Sequence, residues 1–414
     1  MKKNRAVLYK PSQERQDLIL LLICSCVIPF TWLLLLGWDV GNLVSGHDTL
    51  PGMFVSLKSL FAYSGDWTQY LYRFDLLGGV KQHDITGCYP IYELCGWLGV
   101  SPKACINLTV FFIQISFAFL SIRAAQDLAY FWQREPRVDN ETGGGASWAE
   151  GWNDSPAAFT LGTQIGLIWL FAFAPVLAWR LGYGHFFLVT GCYFYWGILS
   201  LLAAAFVRRL SGVLLVVATL AILHGFSASG YQTLIYGVIF GFPILVALFL
   251  IPFFSLDRQE KKEVAWAGVA LAASVLLSFR HFAGMLDHAR GSDASRSLEG
   301  GSVIYSYLTS SVQDWISSIP WANELIPSGR QVGFHHEVNY AFGPLILLGG
   351  VWSWRRPIAW GMGLSLFLAV VFSMNLSPLA EFFPKVFPIL NGFRVPARAI
   401  LPFALTLPLL VAAI

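Results

Sequence analysis

Leu18-Ile19-Leu20-Leu21-Leu22-Ile23-Cys24-Ser25-Cys26-Val27-Ile28-Pro29-Phe30-Thr31-Trp32-Leu33-Leu34-Leu35-Leu36 carries no charged side chain from end to end. A bilayer core needs about 20 apolar residues of helix to cross it, and this run has that length. It follows a basic start: Lys2, Lys3, Arg5, Lys10 and Arg15. No small-residue cleavage site follows it, so it reads as an uncleaved anchor rather than a signal peptide.

Nine more apolar runs follow: Ala104–Ile122, Phe159–Trp179, Phe186–Val207, Leu210–Leu223, Tyr231–Phe254, Val264–Phe279, Tyr340–Trp354, Ile358–Met374 and Ala399–Ile414. The fifth and eighth of the ten are short. The expectation is an all-α fold, a polytopic transmembrane bundle of about ten spans forming one transmembrane domain over 1–414. The last run ends without a polar tail, which predicts that the native chain continues.

Composition points the same way. The chain has 414 residues, of which 56% are hydrophobic and 12% charged, with 16 Trp and 33 Phe. Soluble domains carry roughly 25% charged residues. A soluble core of this length could not hide so much apolar surface, and lipid must cover it. The net charge of +3 leaves no clustered basic footprint for nucleic acid. The six cysteines have no zinc-type spacing. Cys88 and Cys95 share a loop and could bridge, although two free thiols are the simpler reading.

Lys and Arg in the short loops set the orientation. Arg208-Arg209, Arg258/Lys261/Lys262 and Arg355-Arg356 share a side with the basic N-terminus. The expectation is a multi-pass protein of a bacterial cytoplasmic (inner) membrane, with its N-terminus in the cytoplasm. Gln133–Pro156, polar and bearing Gly143-Gly144-Gly145, reads as a flexible cytoplasmic linker. The long loops Gly37–Lys103, Arg280–Asn339 and Asn375–Arg398 then face outward, joined by short turns at Arg180–His185 and His224–Gly230. In the first of them, Leu50, Met53, Phe54, Leu57, Leu60 and Phe61 recur at helical spacing, which suggests a helix lying on the membrane surface.

The spans hold almost no ionisable residues in their middles. Arg123 lies near a cytoplasmic end, and all eight histidines fall on the outer side. Ion-coupled transporters need buried acids or bases along their path, so the chemistry is expected at the outer membrane face. Four motifs stand out there. Ser45-Gly46-His47-Asp48-Thr49-Leu50-Pro51 places a carboxylate just before the surface helix, and Asp39 offers a second one nearer the membrane. Asn391-Gly392-Phe393-Arg394-Val395-Pro396-Ala397-Arg398 brings two guanidinium groups to the start of the last span, suited to holding a phosphate by paired hydrogen bonds. Arg180-Leu181-Gly182-Tyr183-Gly184-His185 is a tight turn with a cation at each end. His335-His336-Glu337 precedes the eighth span. Each has a plainer reading: Asp48 as a helix N-cap, Arg394 and Arg398 as headgroup-seeking side chains, and the His-His-Glu run as a solvated loop end rather than part of a divalent-metal site.

On these motifs the chain resembles the GT-C superfamily of membrane glycosyltransferases, and within it the YfhO-like bacterial membrane proteins. The acidic motif Gly46–Pro51 with the aromatic stretch Trp67–Gly79, the Gly184-His185 turn, His336-Glu337-Val338-Asn339-Tyr340-Ala341-Phe342-Gly343, and Phe393–Arg398 carry the resemblance. It implies a GT-C-like fold and a donor sugar on a polyprenyl phosphate. The acceptor would be a cell-surface glycan or lipid. It further implies Asp48, or else Asp39, as catalytic base, with His47, Arg180, His185, His336, Glu337, Arg394 and Arg398 binding substrate. One carboxylate suffices for such a transfer, because phosphate leaves without a general acid and a single base deprotonates the acceptor hydroxyl. A hydrolytic glycosidase needs two. Two rival classes stand beside this reading. A transporter or lipid flippase would show charges inside the spans or an internal repeat. A membrane glycan polymerase or ligase would not need an acidic motif directly after the first span.

Overall fold

α1 (Pro11–Leu36) contains the apolar run that opens the chain and extends it by two turns at its N-terminal end. The computed structural model describes residues 11–36, 72–73, 80–81, 94–95, 98–133, 161–172, 186–227, 231–250, 253–254, 256–292, 357–376, 378–392 and 396–403. Among these, α1 is followed by β1 (Tyr72–Arg73), β2 (Val80–Lys81), α2 (Pro102–Gln133), α3 (Leu161–Ala172), α4 (Phe186–Phe206) and α5 (Gly212–Ser227). Then come α6 (Tyr231–Leu245), which runs on as a π-helical turn Val246–Leu250, α7 (Arg258–Ser292), α8 (Pro357–Ser373) and α9 (Leu379–Val386). Two 3₁₀ turns, Pro388–Gly392 and Pro396–Ile400, end the described chain. Apart from short turns, the described residues are helical except for the antiparallel β1–β2 pair, Tyr72 opposite Lys81 and Arg73 opposite Val80.

Among the described residues, two helices are long and apolar enough to cross a membrane: α1 over Gln13–Leu35, mean hydropathy 2.7, and α2 over Asn107–Phe131, mean hydropathy 1.8. They differ in how they are buried. α2 is enclosed on every side through its middle, with Phe117, Ala118, Phe119 and Leu120 all inaccessible, as expected of a helix apolar all round. α1 buries one stripe, Asp17, Leu20, Cys24, Ile28 and Trp32, and exposes Leu22, Phe30, Leu34 and Leu35 on the other. Its outward face is as apolar as its inward one, and the same holds for Trp266, Leu276 and Leu277 on α7 and for Trp360, Leu364 and Phe367 on α8.

α4 stands at the centre, packed on α2, α5, α6 and α7, while α8 joins through α6. Glycines let these helices approach closely. A Cβ on Gly361 of α8 would sit 2.8 Å from the Pro243 carbonyl oxygen and from the Ala247 Cβ, and one on Gly241 of α6 would meet the Tyr195 ring at 2.8 Å. A buried polar chain adds direction: Trp32 Nε1 donates to Gln114 Oε1 at 2.6 Å, and Gln114 Nε2 donates to the Ala172 carbonyl at 3.0 Å. This satisfies the amide inside an apolar core, where an unpaired one would cost about 1–3 kcal/mol, and it fixes α1, α2 and the end of α3 at one level.

The helix bounds revise several sequence expectations. α2 continues to Gln133 rather than ending at Ile122, and α7 continues to Ser292 rather than giving way to a loop at Arg280. At 1.5 Å per residue α7 is about 50 Å long, well beyond the roughly 30 Å of a hydrocarbon core. The expected outer loop Asn375–Arg398 contains a helix and two 3₁₀ turns. Cys95 is a buried free thiol, as the simpler reading of that loop had it, and Cys88 lies outside the described residues. The expected surface helix at Leu50–Phe61, the eighth run Tyr340–Trp354 and most of the linker Gln133–Pro156 lie outside the described residues.

Candidate functional site

The two ends of the bundle differ in chemistry. One end gathers the start of α1, the end of α2, the α4–α5 turn, the end of α6 and the start of α7. Arg15, Arg208, Arg209, Arg258, Lys261 and Lys262 all sit there, as the loop charges suggested. The start of α8 is at this end too, because Gly361 packs on Pro243 and Ala247. The opposite end receives the end of α8, then α9 and the two 3₁₀ turns.

Of the residues singled out by sequence, Arg398 is the one described. It lies on the 3₁₀ turn Pro396–Ile400, half-buried itself, between the fully buried Ala397 and Ala399. The turn packs on α8 and α6. Pro402, one turn further on, approaches the position a Cβ of Gly237 would take, at 3.6 Å. The turn's irregular backbone is covered by α6 and α8. Beside it Tyr236 and Phe240 of α6, Phe372 of α8 and Phe383 of α9 form one aromatic knot, with Phe240–Phe383 at 5.2 Å and Phe240–Phe372 at 5.3 Å between ring centres. Asp39, His47, Asp48, Arg180, His185, His336, Glu337 and Arg394 lie outside the described residues. Among the described residues, no group of three or more His, Cys, Asp and Glu side chains is placed to hold a metal ion.

At the basic end the structure assembles a site that the sequence reading did not identify. Asp17 of α1, Arg123 and Asp127 of α2, and Arg209 of the α4–α5 turn form a buried quartet. Arg123 Nε lies 3.2 Å from Asp17 and 3.3 Å from Asp127, and Arg209 Nη1 lies 3.1 Å from the other Asp127 oxygen. Neither Asp127 oxygen receives an aligned N–H, so these are charge contacts more than directed hydrogen bonds. The directed bonds run elsewhere: Arg123 Nη2 to the Arg209 carbonyl at 2.8 Å, Arg209 Nε to Gln13 at 2.9 Å, and the Ser211 hydroxyl to Asp17. The Arg209 guanidinium also covers the Tyr130 ring at 4.4 Å. Burial pulls the Arg209 guanidinium below its ordinary range, and Asp127 opposes that shift.

The α4–α5 turn is shaped to deliver this residue. Arg208 has φ 55°, and the Arg209 amide reaches back to the Ala204 carbonyl at 2.8 Å, an αL helix ending. A side chain in that conformation costs roughly 1 kcal/mol. Arg208 is held there by Asp257 and, at 3.6 Å, by Glu260. That acidic pair is itself a capping box at the start of α7: Asp257 Oδ1 accepts from the Glu260 amide at 2.8 Å, and Glu260 Oε2 accepts from the Asp257 amide at 3.1 Å. One turn thus ties α1, α2, α4, α5 and α7 together.

The sequence reading left the middles of the spans almost without ionisable residues and put Arg123 near a span end; the quartet lies near the helix ends, and the charges that gather round Arg123 there are what the structure adds. The signal was present: Asp17 immediately precedes the first apolar run, and Arg123 and Asp127 are four apart on one helix face. Arg123 was noted at a span end, but its partners were not assigned, because Asp17 and Arg209 come from segments distant in sequence. A transporter path would use interior charges, yet these cancel in sign and sit within a few turns of the helix ends. Their arrangement is that of a clamp.

No protein-family model, curated protein or solved structure matches this chain.

Proposed function

We propose that the chain is a multi-pass glycosyltransferase of a bacterial cytoplasmic membrane, GT-C-like, with about ten spans and a cytoplasmic N-terminus. It moves a sugar from a polyprenyl-phosphate donor to a surface glycan or lipid on the extracytoplasmic face. The observation that carries this reading is Arg398, on a covered 3₁₀ turn at the end of the bundle opposite the basic one. The exposed apolar faces of α1, α7 and α8 support the membrane part of it, as does the clustering of Arg15, Arg208, Arg209, Arg258, Lys261 and Lys262 at one end. In this reading Arg398 and Arg394 hold the donor phosphate and stabilise the charge that grows on it as the glycosidic bond breaks. Asp48, or Asp39 in its place, takes the proton of the acceptor hydroxyl.

The test uses the purified full chain in vesicles with a polyprenyl-phosphate sugar. Arg398→Lys keeps the charge and loses the planar fork, so donor binding should weaken by about tenfold or more. Asp48→Asn should lower turnover by roughly 10²–10⁴-fold with donor binding retained. Wild-type turnover in Asp48→Asn with a dead Asp39→Asn moves the base to Asp39. Unchanged donor binding and turnover in Arg398→Lys, together with normal turnover in both Asp variants, refutes the mechanism.

A further inference from the structure

Serine and threonine hydroxyls inside a helix commonly bond the carbonyl four residues back. Thr31, Ser116, Ser200 and Ser274 do so here. Thr233 does not. It is fully buried, and its hydroxyl has no hydrogen-bond partner. It stands on the first turn of α6, which begins at Tyr231, so no carbonyl of the helix lies four residues behind it.

The position of Thr233 gives this hydroxyl a use. Gly237 is one turn further along the same side of α6. Pro402 lies against it, 3.6 Å from where a Cβ would stand. Arg398 is about one turn before Pro402, on the 3₁₀ turn that itself packs on α6. Both segments run inward from the end opposite the basic one. One turn outward from the Gly237–Pro402 contact, α6 therefore presents Thr233 and the other segment presents Arg398.

The same place is electrically suited to an anion. The N-terminal end of a helix is its positive end, and phosphate is readily held there. α7 answers its own N-terminal charge with Asp257 and Glu260. α6 has no acidic residue in its first turn.

We propose that Thr233 and the N-terminal turn of α6 complete, with Arg398, the site that holds the phosphate of the lipid-linked donor. The Thr233 hydroxyl donates to a phosphate oxygen, a directed bond for which the protein itself provides no acceptor. The Arg398 guanidinium supplies the opposite charge. Tyr195, whose hydroxyl is also buried and unpartnered, lies against Gly241, two turns further in, and provides the comparison. The inference rests on the phosphate-holding role proposed for Arg398 and not on the catalytic base.

The full chain in lipid discs, titrated with polyprenyl phosphate and with the neutral polyprenol, tests it. Wild type should prefer the phosphate by at least about a hundredfold. Thr233→Val keeps the shape and removes the hydroxyl. It should lower that preference by about tenfold and leave polyprenol binding unchanged. Its unfolding midpoint should hold or rise, because an unpartnered buried hydroxyl is lost. Thr233→Ser should stay within about threefold of wild type, and Tyr195→Phe should keep the full preference. An unchanged preference in Thr233→Val beside a reduced one in Arg398→Lys overturns the inference and leaves the role of Arg398 standing. Equal losses in Thr233→Val and Tyr195→Phe, or a lower midpoint with weaker polyprenol binding in Thr233→Val, overturn it in favour of a packing role. An unchanged preference in Arg398→Lys overturns the donor-phosphate role of Arg398 itself, and the inference falls with it.

Discussion

Replacing Asp127 by Asn keeps the shape of the side chain and removes one charge from the buried quartet. Asp127 is wholly buried and faces Arg123 at 3.3 Å and Arg209 at 3.1 Å, while Arg123 also faces Asp17 at 3.2 Å. At an effective dielectric of about 20, each contact is worth about 5 kcal/mol gross. Desolvating each ion costs several kcal/mol, so the intact quartet contributes little net stability. The asymmetry appears when one member is lost. Asp127→Asn leaves two guanidinium groups facing the single carboxylate of Asp17, and such a truncation typically costs about 3–5 kcal/mol. Asp257→Asn is the internal comparison. It removes a charge from the exposed pair with Arg208 and keeps the capping oxygen, so it should cost about 1 kcal/mol or less. The assay is equilibrium unfolding of the purified chain in lipid discs. Arg209→Gln added to Asp127→Asn restores neutrality around the Arg123–Asp17 pair, and the double variant should be more stable than the sum of the single losses by about 1–3 kcal/mol. Equal losses in Asp127→Asn and Asp257→Asn, or strict additivity in the double variant, would show that the quartet is not a coupled unit.

Two further outcomes follow from packing and titration. Gly361→Ala should destabilise by about 1–3 kcal/mol, because its new Cβ meets backbone at 2.8 Å; Gly363→Ala on the same helix meets nothing within 4 Å and should be neutral or stabilising by up to about 1 kcal/mol in the same unfolding assay. Glu263 lies one residue before the apolar run of α7, and burial pushes its carboxyl up to about 7, with Arg208 pulling the other way. Between the ordinary value of 4.5 and about 7 the folded chain therefore binds more protons than the unfolded one. Its contribution to stability falls as pH rises through that window and levels off above it. Glu263 is partly open to solvent, so the fall should be only about 1–2 kcal/mol, and Glu263→Gln should remove it, seen as thermal midpoints that converge near pH 4.5 and separate by pH 8.

The apolar runs alone determined that this chain is helical and suited to lipid. A continuous stretch such as Leu18–Leu36 has one physical solution in hydrocarbon, a helix with every backbone group paired internally. The positions of Arg208-Arg209 and of Arg258, Lys261 and Lys262 in short connections likewise foretold that they would share an end. What the sequence left open was every decision that needs two distant segments at once. Asp17 and Asp127 are 110 positions apart, and nothing local says that Arg123 will stand between them. The α4–α5 turn, with Arg208 forced to a positive φ, brings Arg209 and Ser211 to the same point. Hydropathy averages over a window, so it read Asn375–Arg398 as a loop: prolines and a Glu–Lys pair dilute an apolar side that exists only once the segment is coiled into α9. Tertiary packing of Phe383 into the knot formed by Tyr236, Phe240 and Phe372 decided which side of that helix faces inward, and so left Leu379, Phe382 and Val386 facing out.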